Sequence, residues 1–167
     1  IPSTFTQKGQ NWHAEARVYD GSDWSAWVSS PSLTIQNTPP ITGTVELSEE
    51  IASTTDSVSV SFDMTDVDGD VEQQSSITWW RDGVMKSSLT GFLTLPSTST
   101  LKGEVWTVKV AAGDGQDLST VEKSAQVTIS NSLPSVNISL PVSISSLDQL
   151  TVSTSAEDAD LDAVELQ

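Results

Sequence analysis

The chain has 167 residues and a formal net charge of -16 at pH 7, because 23 acidic side chains outnumber 7 basic ones. So negative a chain argues against nucleic acid as a partner, since a phosphate backbone attracts basic surfaces. The sequence contains no cysteine, which excludes a disulfide framework and thiolate chemistry. Its apolar runs are only a few residues long, so we expect no membrane insertion by this segment. A chain of this length buries one full core, or one core and part of another.

The first passage of interest is KGQNWHAEARVYDGSD at 8–23, which recurs as KGEVWTVKVAAGDGQD at 102–117. Lys8 corresponds to Lys102, so the two passages are offset by 94 positions. An offset that holds through so many matched positions indicates a tandem repeat.

The repeat continues beyond these passages. The same offset of 94 relates the Asn-x-x-Pro sequence at 37–40 to the one at 131–134. With two residues deleted, DVDGD at 66–70 then returns as DADLD at 158–162.

The repeat predicts three segments along the chain. Residues 1–37 form the C-terminal part of a preceding repeat, 38–131 form a complete repeat, and 132–167 form the N-terminal part of a following repeat. Since domain boundaries normally fall between compact units, we expect the chain to be cut from a longer array. Neighbouring sequence, or an identical neighbouring subunit, would then complete the two partial repeats.

Short alternating runs predict that each repeat is all-β. In VSVSFDM at 58–64 and WTVKVAA at 106–112, apolar residues occupy every second position, which is typical of half-buried antiparallel strands. Asp-Gly and Pro-containing turns separate these runs. About seven short strands in roughly ninety residues indicate a two-sheet sandwich. Trp12, Trp79 and Trp106 follow the core alternation, although Trp12 belongs to a partial repeat whose two-stranded ribbon is expected to have no sheet opposite.

Acidic side chains are concentrated in the loop DVDGD at 66–70. Calcium takes about six to eight oxygen ligands, and carboxylates at every second position of a bent loop can converge on one ion. In a sandwich of this kind, the loops after the second and sixth strands lie at the same end, beside the linker around Asn37. The alternative is that the Asp-Gly pairs only form turns with solvated charges. The candidate calcium ligands are Asp66, Asp68, Asp70, Asp114 and Asp117.

The second copy of the acidic loop offers a further set of candidate metal ligands. These are Asp158, Asp160 and Asp162. Leu161 replaces Gly69 in this copy, which weakens the match because the backbone of Leu161 need not bend in the same way.

The order of these motifs resembles a known group of modules. The unit opens on Asn-x-x-Pro, continues through DVDGD and a Trp-Trp-Arg-Asp-Gly hairpin at 79–83, and ends with the Lys-Gly-x-x-Trp strand and its Asp-Gly turn. It resembles the Ig-like and cadherin-like (PKD-like and fibronectin type III-like) repeats of large prokaryotic extracellular surface proteins and adhesins. The resemblance implies tandem Ig-like antiparallel β-sandwich repeats of about 94 residues, located outside the cell or at its surface. It also implies that calcium neutralises the acidic loops and stiffens the joint between repeats.

Several remaining residues are candidates for surface roles. Trp24, Trp27 and Trp80 can stack on sugar rings or fill a partner's pocket, although packing over a sheet edge is an equal alternative. Asn137 begins a lone Asn-Ile-Ser glycosylation sequon, a pattern that also arises by chance. His13, the single histidine, is expected on the outward face of its strand. With no second histidine, no cysteine and no distinct pair of carboxylates, we predict no catalytic residues and no enzyme.

Two classes of function follow. The first is a non-enzymatic structural or adhesive module of a repetitive extracellular protein that forms a stalk, fibre or surface layer. Its partners would be neighbouring repeats of the same or identical chains, with cell-surface glycans as a further class. The second is a carbohydrate-binding or accessory module of a secreted enzyme. Tandem repetition favours the first, because an array gains reach by repetition.

Overall fold

The computed structural model describes residues 1–166, and within that range it is all-β. Single 3₁₀ turns lie at Ser3–Phe5, Ser87–Leu89 and Ser97–Ser99, and none of the described helices is long and apolar enough to cross a membrane. The strands are β1 (Asn11–Trp12), β2 (Glu15–Ala16), β3 (Val28–Ser29), β4 (Leu33–Thr34), β5 (Ile41–Leu47), β6 (Ile51–Ser53), β7 (Val58–Thr65), β8 (Ser76–Arg81), β9 (Val84–Met85), β10 (Thr94–Leu95), β11 (Val105–Ala111), β12 (Lys123–Ser130), β13 (Ser135–Ser139) and β14 (Ser153–Glu157). The all-β prediction is therefore confirmed.

Strands β5–β12 form two sheets. One has the order β10-β7-β5, and the other has the order β6-β12-β11-β8-β9. The antiparallel pair β11–β12 runs from Val105 opposite Thr128 to Val110 opposite Lys123. The prediction of about seven strands is one short of the eight strands observed. Strand β5 pairs in the first sheet, whereas β6 pairs in parallel with β12 of the second.

Side chains from both sheets meet in one apolar core, as period-two alternation predicts. Trp79 on β8 and Trp106 on β11 are 0% and 1% exposed, so their predicted core positions are confirmed. The indole N–H of Trp79 donates to the carbonyl of Phe92 at 2.9 Å. The indole N–H of Trp106 donates to Oε2 of Glu104 at 2.9 Å. Each large ring is thus buried without leaving its polar atom unpaired. The other members of the core are Ala52, Val58, Val60, Ile77, Leu89, Leu95, Val108, Val110, Val127 and Ile129.

The first and last segments form two-stranded ribbons. Trp12 on β1 lies opposite Leu33 on β4, and β13 pairs with β14 from Ser135 to Ser139. Trp12, which follows the core alternation but is expected on a ribbon with no sheet opposite, is only partly buried. A two-stranded ribbon does not by itself enclose an apolar face.

The chain divides into two compact units. The first contains Ile1–Gly43, Asp63–Ser76 and Ala111–Glu122, and the second contains Thr44–Phe62, Ile77–Val110 and the chain from Lys123 onward. The first unit contains the acidic loop at 66–70, together with the linker that precedes β5. The second contains the acidic loop at 158–162, together with the linker that precedes β13.

Candidate metal centre

The acidic loop DVDGD owes its shape to its first carboxylate. Strand β7 ends at Thr65, and Oδ1 of Asp66 then accepts the backbone N–H groups of Asp68 at 2.8 Å and Asp70 at 3.2 Å. An aspartate that binds the backbone ahead of it closes a turn. Gly69 has φ +80°, a conformation that glycine adopts without steric strain. The three carboxylates of the loop are therefore held within one turn.

A second loop, which follows β11, lies beside the first. Oδ1 of Asp114 accepts the N–H groups of Gln116 and Asp117, both at 2.7 Å. The N–H of Gln73 donates to the carbonyl of Gly113 at 2.8 Å, which joins the two loops. A Cβ at Gly113 would lie only 2.5 Å from the carbonyl oxygen of Gln73. Glycine at this position is what permits so close an approach.

Three carboxylates converge where the two loops meet. Oxygen atoms of Asp66, Asp70 and Asp114 all lie within 4.8 Å of one another, a grouping that can hold a metal ion. Asp114 is 5% exposed. Oδ2 of Asp66 is buried and has no hydrogen-bond partner within residues 1–166. A buried anionic oxygen without a partner is costly, so the donor set fits a cation.

The other two predicted ligands, Asp68 and Asp117, contact the linker at 37–38. Oδ2 of Asp68 accepts the N–H of Thr38 at 2.7 Å. The side-chain amide of Asn37 donates to Oδ2 of Asp117 and to Oδ2 of Asp114, both at 2.8 Å. The acidic loops therefore position the linker as well as the candidate metal centre.

The linker also determines the charge state of Asp114. The hydrogen bond from Asn37 lowers the pKa of this carboxyl from 3.8 to about 2, helped by the turn N–H groups of Asp117 and Gln116 and by the charge of Lys8. Partial burial acts in the opposite direction but does not prevail. Asp114 is therefore ionised at any physiological pH.

Lys8 is a residue of this centre that the sequence analysis did not select. Its ammonium group contacts Oδ2 of Asp70 and donates to Oδ1 of Asn37 and Oε1 of Gln116, both at 2.9 Å. The hydrogen bond to Asp70 raises the pKa of Lys8 above its usual value, and the charges of Asp114 and Asp68 act in the same direction. The signal in the sequence was the repetition of the Lys-Gly pair at the same offset as the linker.

The second acidic loop folds as the first does. Oxygen atoms of Asp158, Asp160 and Asp162 lie within 4.8 Å of one another. Oδ1 of Asp158 accepts the N–H groups of Asp160 at 2.8 Å and Asp162 at 3.1 Å. Leu161 has φ +62°, so the concern that leucine would bend the loop differently is wrong. The left-handed conformation costs a leucine about 1–2 kcal/mol, which the contacts of the loop offset.

The second linker makes corresponding contacts. The N–H of Ser132 donates to Oδ2 of Asp160 at 2.6 Å, and the hydroxyl of Thr54 contacts Oδ1 of the same carboxylate. These hydrogen bonds, that of Thr54 first, lower the pKa of Asp160. The ammonium group of Lys102 contacts Asp162 and donates to Oδ1 of Asn131 at 3.1 Å.

Trp24 and Trp27, two of the three candidate contact tryptophans, share one cationic neighbour. They are 55% and 57% exposed. The guanidinium carbon of Arg17 lies 4.2 Å from the ring centroid of Trp24 and 4.8 Å from that of Trp27. Tyr19 lies 5.0 Å from Trp24, centroid to centroid. The cation is thus stacked against both indoles, which leaves less ring surface for a sugar.

The remaining surface candidates are Trp80, Asn137 and His13, none of which lies in an acidic loop. Trp80 is partly buried, and Nζ of Lys109 lies 4.3 Å from its ring centroid. Asn137 is exposed on β13. His13 is exposed as expected, with Nε2 3.8 Å from Oε1 of Glu15.

The candidate metal centre is interpreted from its own geometry, because comparisons with known proteins give no match. That geometry consists of two acidic clusters, each able to hold a cation and each bonded to a linker. No protein-family model, curated protein or solved structure gives a significant match to the chain.

Proposed function

We propose that the chain is a non-enzymatic structural or adhesive segment of a repetitive extracellular protein. In this proposal it consists of tandem Ig-like sandwich repeats of about 94 residues, and calcium at the acidic loops stiffens the junctions between them. A junction here means the linker, the acidic loop after it and the Lys-Gly loop before it.

The observation that carries the proposal is the recurrence of one set of junction contacts. Thr38 N–H donates to Asp68 at 2.7 Å, and Ser132 N–H donates to Asp160 at 2.6 Å. The backbone behaves likewise, since Gly9 N–H donates to Ile35 and Gly103 N–H donates to Ile129, both at 2.8 Å. A recurrent joint is what an extended array requires, because each repeat contacts only its neighbours.

The strand order supports the Ig-like part of the proposal. Ig-like sandwiches of seven strands place their first, second, fourth and fifth strands in one sheet and their third, sixth and seventh in the other. If β6 is counted as an extension of the first strand and β9 as an extension of the third, six strands remain, and the sheets β10-β7-β5 and β12-β11-β8 follow this scheme with one strand fewer in the first sheet.

The donor chemistry supports calcium. Carboxylate oxygens are the ligands that calcium prefers, and Asp66 contributes a buried oxygen without a partner in the described chain. A chain with a net charge of -16 also gains from neutralisation, because crowded like charges oppose compact packing.

The test is thermal unfolding of the whole chain in calcium and in chelator. A bound ion at one hundred times its dissociation constant stabilises the folded state by about 2.7 kcal/mol, so calcium is expected to raise the melting temperature. Asp66→Asn should remove most of the increase that the first centre provides. Glu122→Gln, an exposed acid outside both clusters, is the matched control and should retain it. Identical melting curves in calcium and chelator would eliminate the calcium part of the proposal.

A carbohydrate-binding or accessory module is the second candidate, because Trp24 and Trp27 are more than half exposed. It ranks below the first because Arg17 stacks against both rings. A glycan pull-down with the whole chain, compared with Trp27→Ala, decides this point. Retention by a glycan that Trp27→Ala abolishes would favour the second candidate.

A further inference from the structure

The lysine of each Lys-Gly pair bridges three parts of its junction. Lys8 belongs to the loop before β1, and its ammonium group reaches Asn37 of the linker and Asp70 of the acidic loop. Lys102 belongs to the loop before β11 and reaches Asn131 and Asp162 in the same way. The residues in each bridge lie within a single compact unit.

The lysine supplies positive charge where carboxylates are crowded. Asp66, Asp70 and Asp114 approach one another within 4.8 Å, and unshielded carboxylates at that distance repel. The ammonium of Lys8 lies against Asp70 and is 29% exposed in its side chain, so solvent screens it only in part. A lysine so placed offsets the repulsion of the loop and joins it to the linker at the same time.

The contacts that the two junctions share show which part of the network is general. Gln116 assists Lys8 only in the first junction, and Thr54 assists Asp160 only in the second. In both junctions the lysine contacts the last aspartate of the acidic loop and donates a hydrogen bond to the linker asparagine. In both, a linker N–H donates to the middle aspartate of the loop. The shared set is therefore independent of the neighbouring side chains.

From these shared contacts we infer that the Lys-Gly loop of each repeat is a docking element for the acidic loop of the next, and that its lysine orders the junction without a metal ion. The partner that the acidic loop fits is thus a Lys-Gly loop followed by an Asn-x-x-Pro linker. The inference rests on the repeat organisation proposed above but not on calcium. It also makes lysine and a metal ion competitors, because both use the carboxylate of Asp70.

The test is residue-resolved amide exchange by NMR on the whole chain, with chelator present throughout. The reporters are the N–H groups of Thr38 and Ser132, which donate to the middle aspartates of the two acidic loops. Lys8→Met should accelerate exchange at Thr38 by up to about fivefold, the ratio expected from a partly exposed ion pair, and leave Ser132 unchanged. Lys102→Met should do the reverse, so each variant is the control of the other.

Two further variants separate docking from general destabilisation. Lys123→Met removes an exposed lysine outside both junctions and should change neither reporter. Lys8→Arg keeps the charge and should restore part of the protection at Thr38. Equal acceleration at Thr38 and Ser132 in a single-lysine variant, or no change at Thr38 in Lys8→Met, would overturn the inference. Neither result depends on whether calcium binds, so the two proposals fail separately.

Discussion

Gly113 is the position at which a single methyl group should separate the loop after β11 from the segment that follows the acidic loop at 66–70. In Gly113→Ala the new Cβ would lie 2.5 Å from the carbonyl oxygen of Gln73, and Cβ atoms essentially never approach closer than 3.0 Å. The loops must therefore move apart by at least 0.5 Å, the difference between these two distances. Overpacking of this kind typically costs about 1–3 kcal/mol of the free energy of unfolding.

The displacement should also be visible in the titration of Asp114. If this loop moves away from the linker, its carboxylate loses the hydrogen bond from Asn37 that contributes most to lowering its pKa to about 2. We expect the pKa of Asp114 in Gly113→Ala to rise toward the ordinary value of 3.8, as measured by NMR titration of the side chain. Urea unfolding followed by tryptophan fluorescence measures the loss of stability.

Gly91→Ala is the matched control for this experiment. Gly91 has φ +81° but open space around a new Cβ, so alanine there meets only the conformational penalty of about 1–2 kcal/mol. It should destabilise the chain and leave the pKa of Asp114 unchanged. If Gly113→Ala left both the stability and the pKa of Asp114 unchanged from those of the unaltered chain, the close approach of the loops would be refuted.

The remaining predictions concern the core, the competition between cations, and acid. Trp79→Ala and Trp106→Ala should each cost about 3–5 kcal/mol in urea unfolding, because both rings are fully buried. Trp80→Ala should cost less, and a larger effect at Trp80 would contradict the assignment of faces. If calcium binds, Lys8→Met should bind it more tightly in calorimetric titration, since Asp70 is released; unchanged or weaker binding would show that the two cations do not compete. Because the folded-state pKa of Asp114 is depressed, its ionised carboxylate contributes to the free energy of unfolding above pH 3.8, and this contribution is lost as the pH falls toward about 2. Protection of the Asp117 N–H, which donates to Asp114, should fall over that window, and Asp114→Asn should abolish this pH dependence.

The sequence predicts those parts of the structure that depend on local alternation. The run of apolar residues at every second position of β11 identifies the buried face, and Trp106 is buried because it lies on that face. Alternation predicts less about Trp12, because burial needs a second sheet and not only a strand. The placement of β5 in one sheet and β6 in the other depends on long-range strand pairing, which a local pattern does not contain.

The sequence likewise predicts one part of the candidate metal centre and not another. The topology of a sandwich brings the loop at 66–70 near Asp114, and the structure places oxygen atoms of Asp66, Asp70 and Asp114 together. The pattern Asp-x-Asp-x-Asp does not reveal that Asp68 instead accepts a linker N–H. That distinction depends on the direction of each side chain in the folded turn, and the turn is closed by backbone hydrogen bonds to Asp66.

Lys8 is the reason why we propose that the centre acts as a joint and not as an isolated metal site. An isolated cation site needs only acids, and a lysine in contact with it weakens metal binding by competition. Here the lysine recurs with the linker asparagine and with the last aspartate of the loop. A metal ion at the centre would neutralise the same carboxylates as the lysine, but only the lysine is covalently part of the preceding loop. Ionic strength in the presence of chelator tests the lysine alone, because no divalent metal ion remains bound and salt screens the partly exposed ion pair. Thr38 in the unaltered chain should therefore exchange faster in high salt with chelator, and Lys8→Met should lose most of that salt dependence.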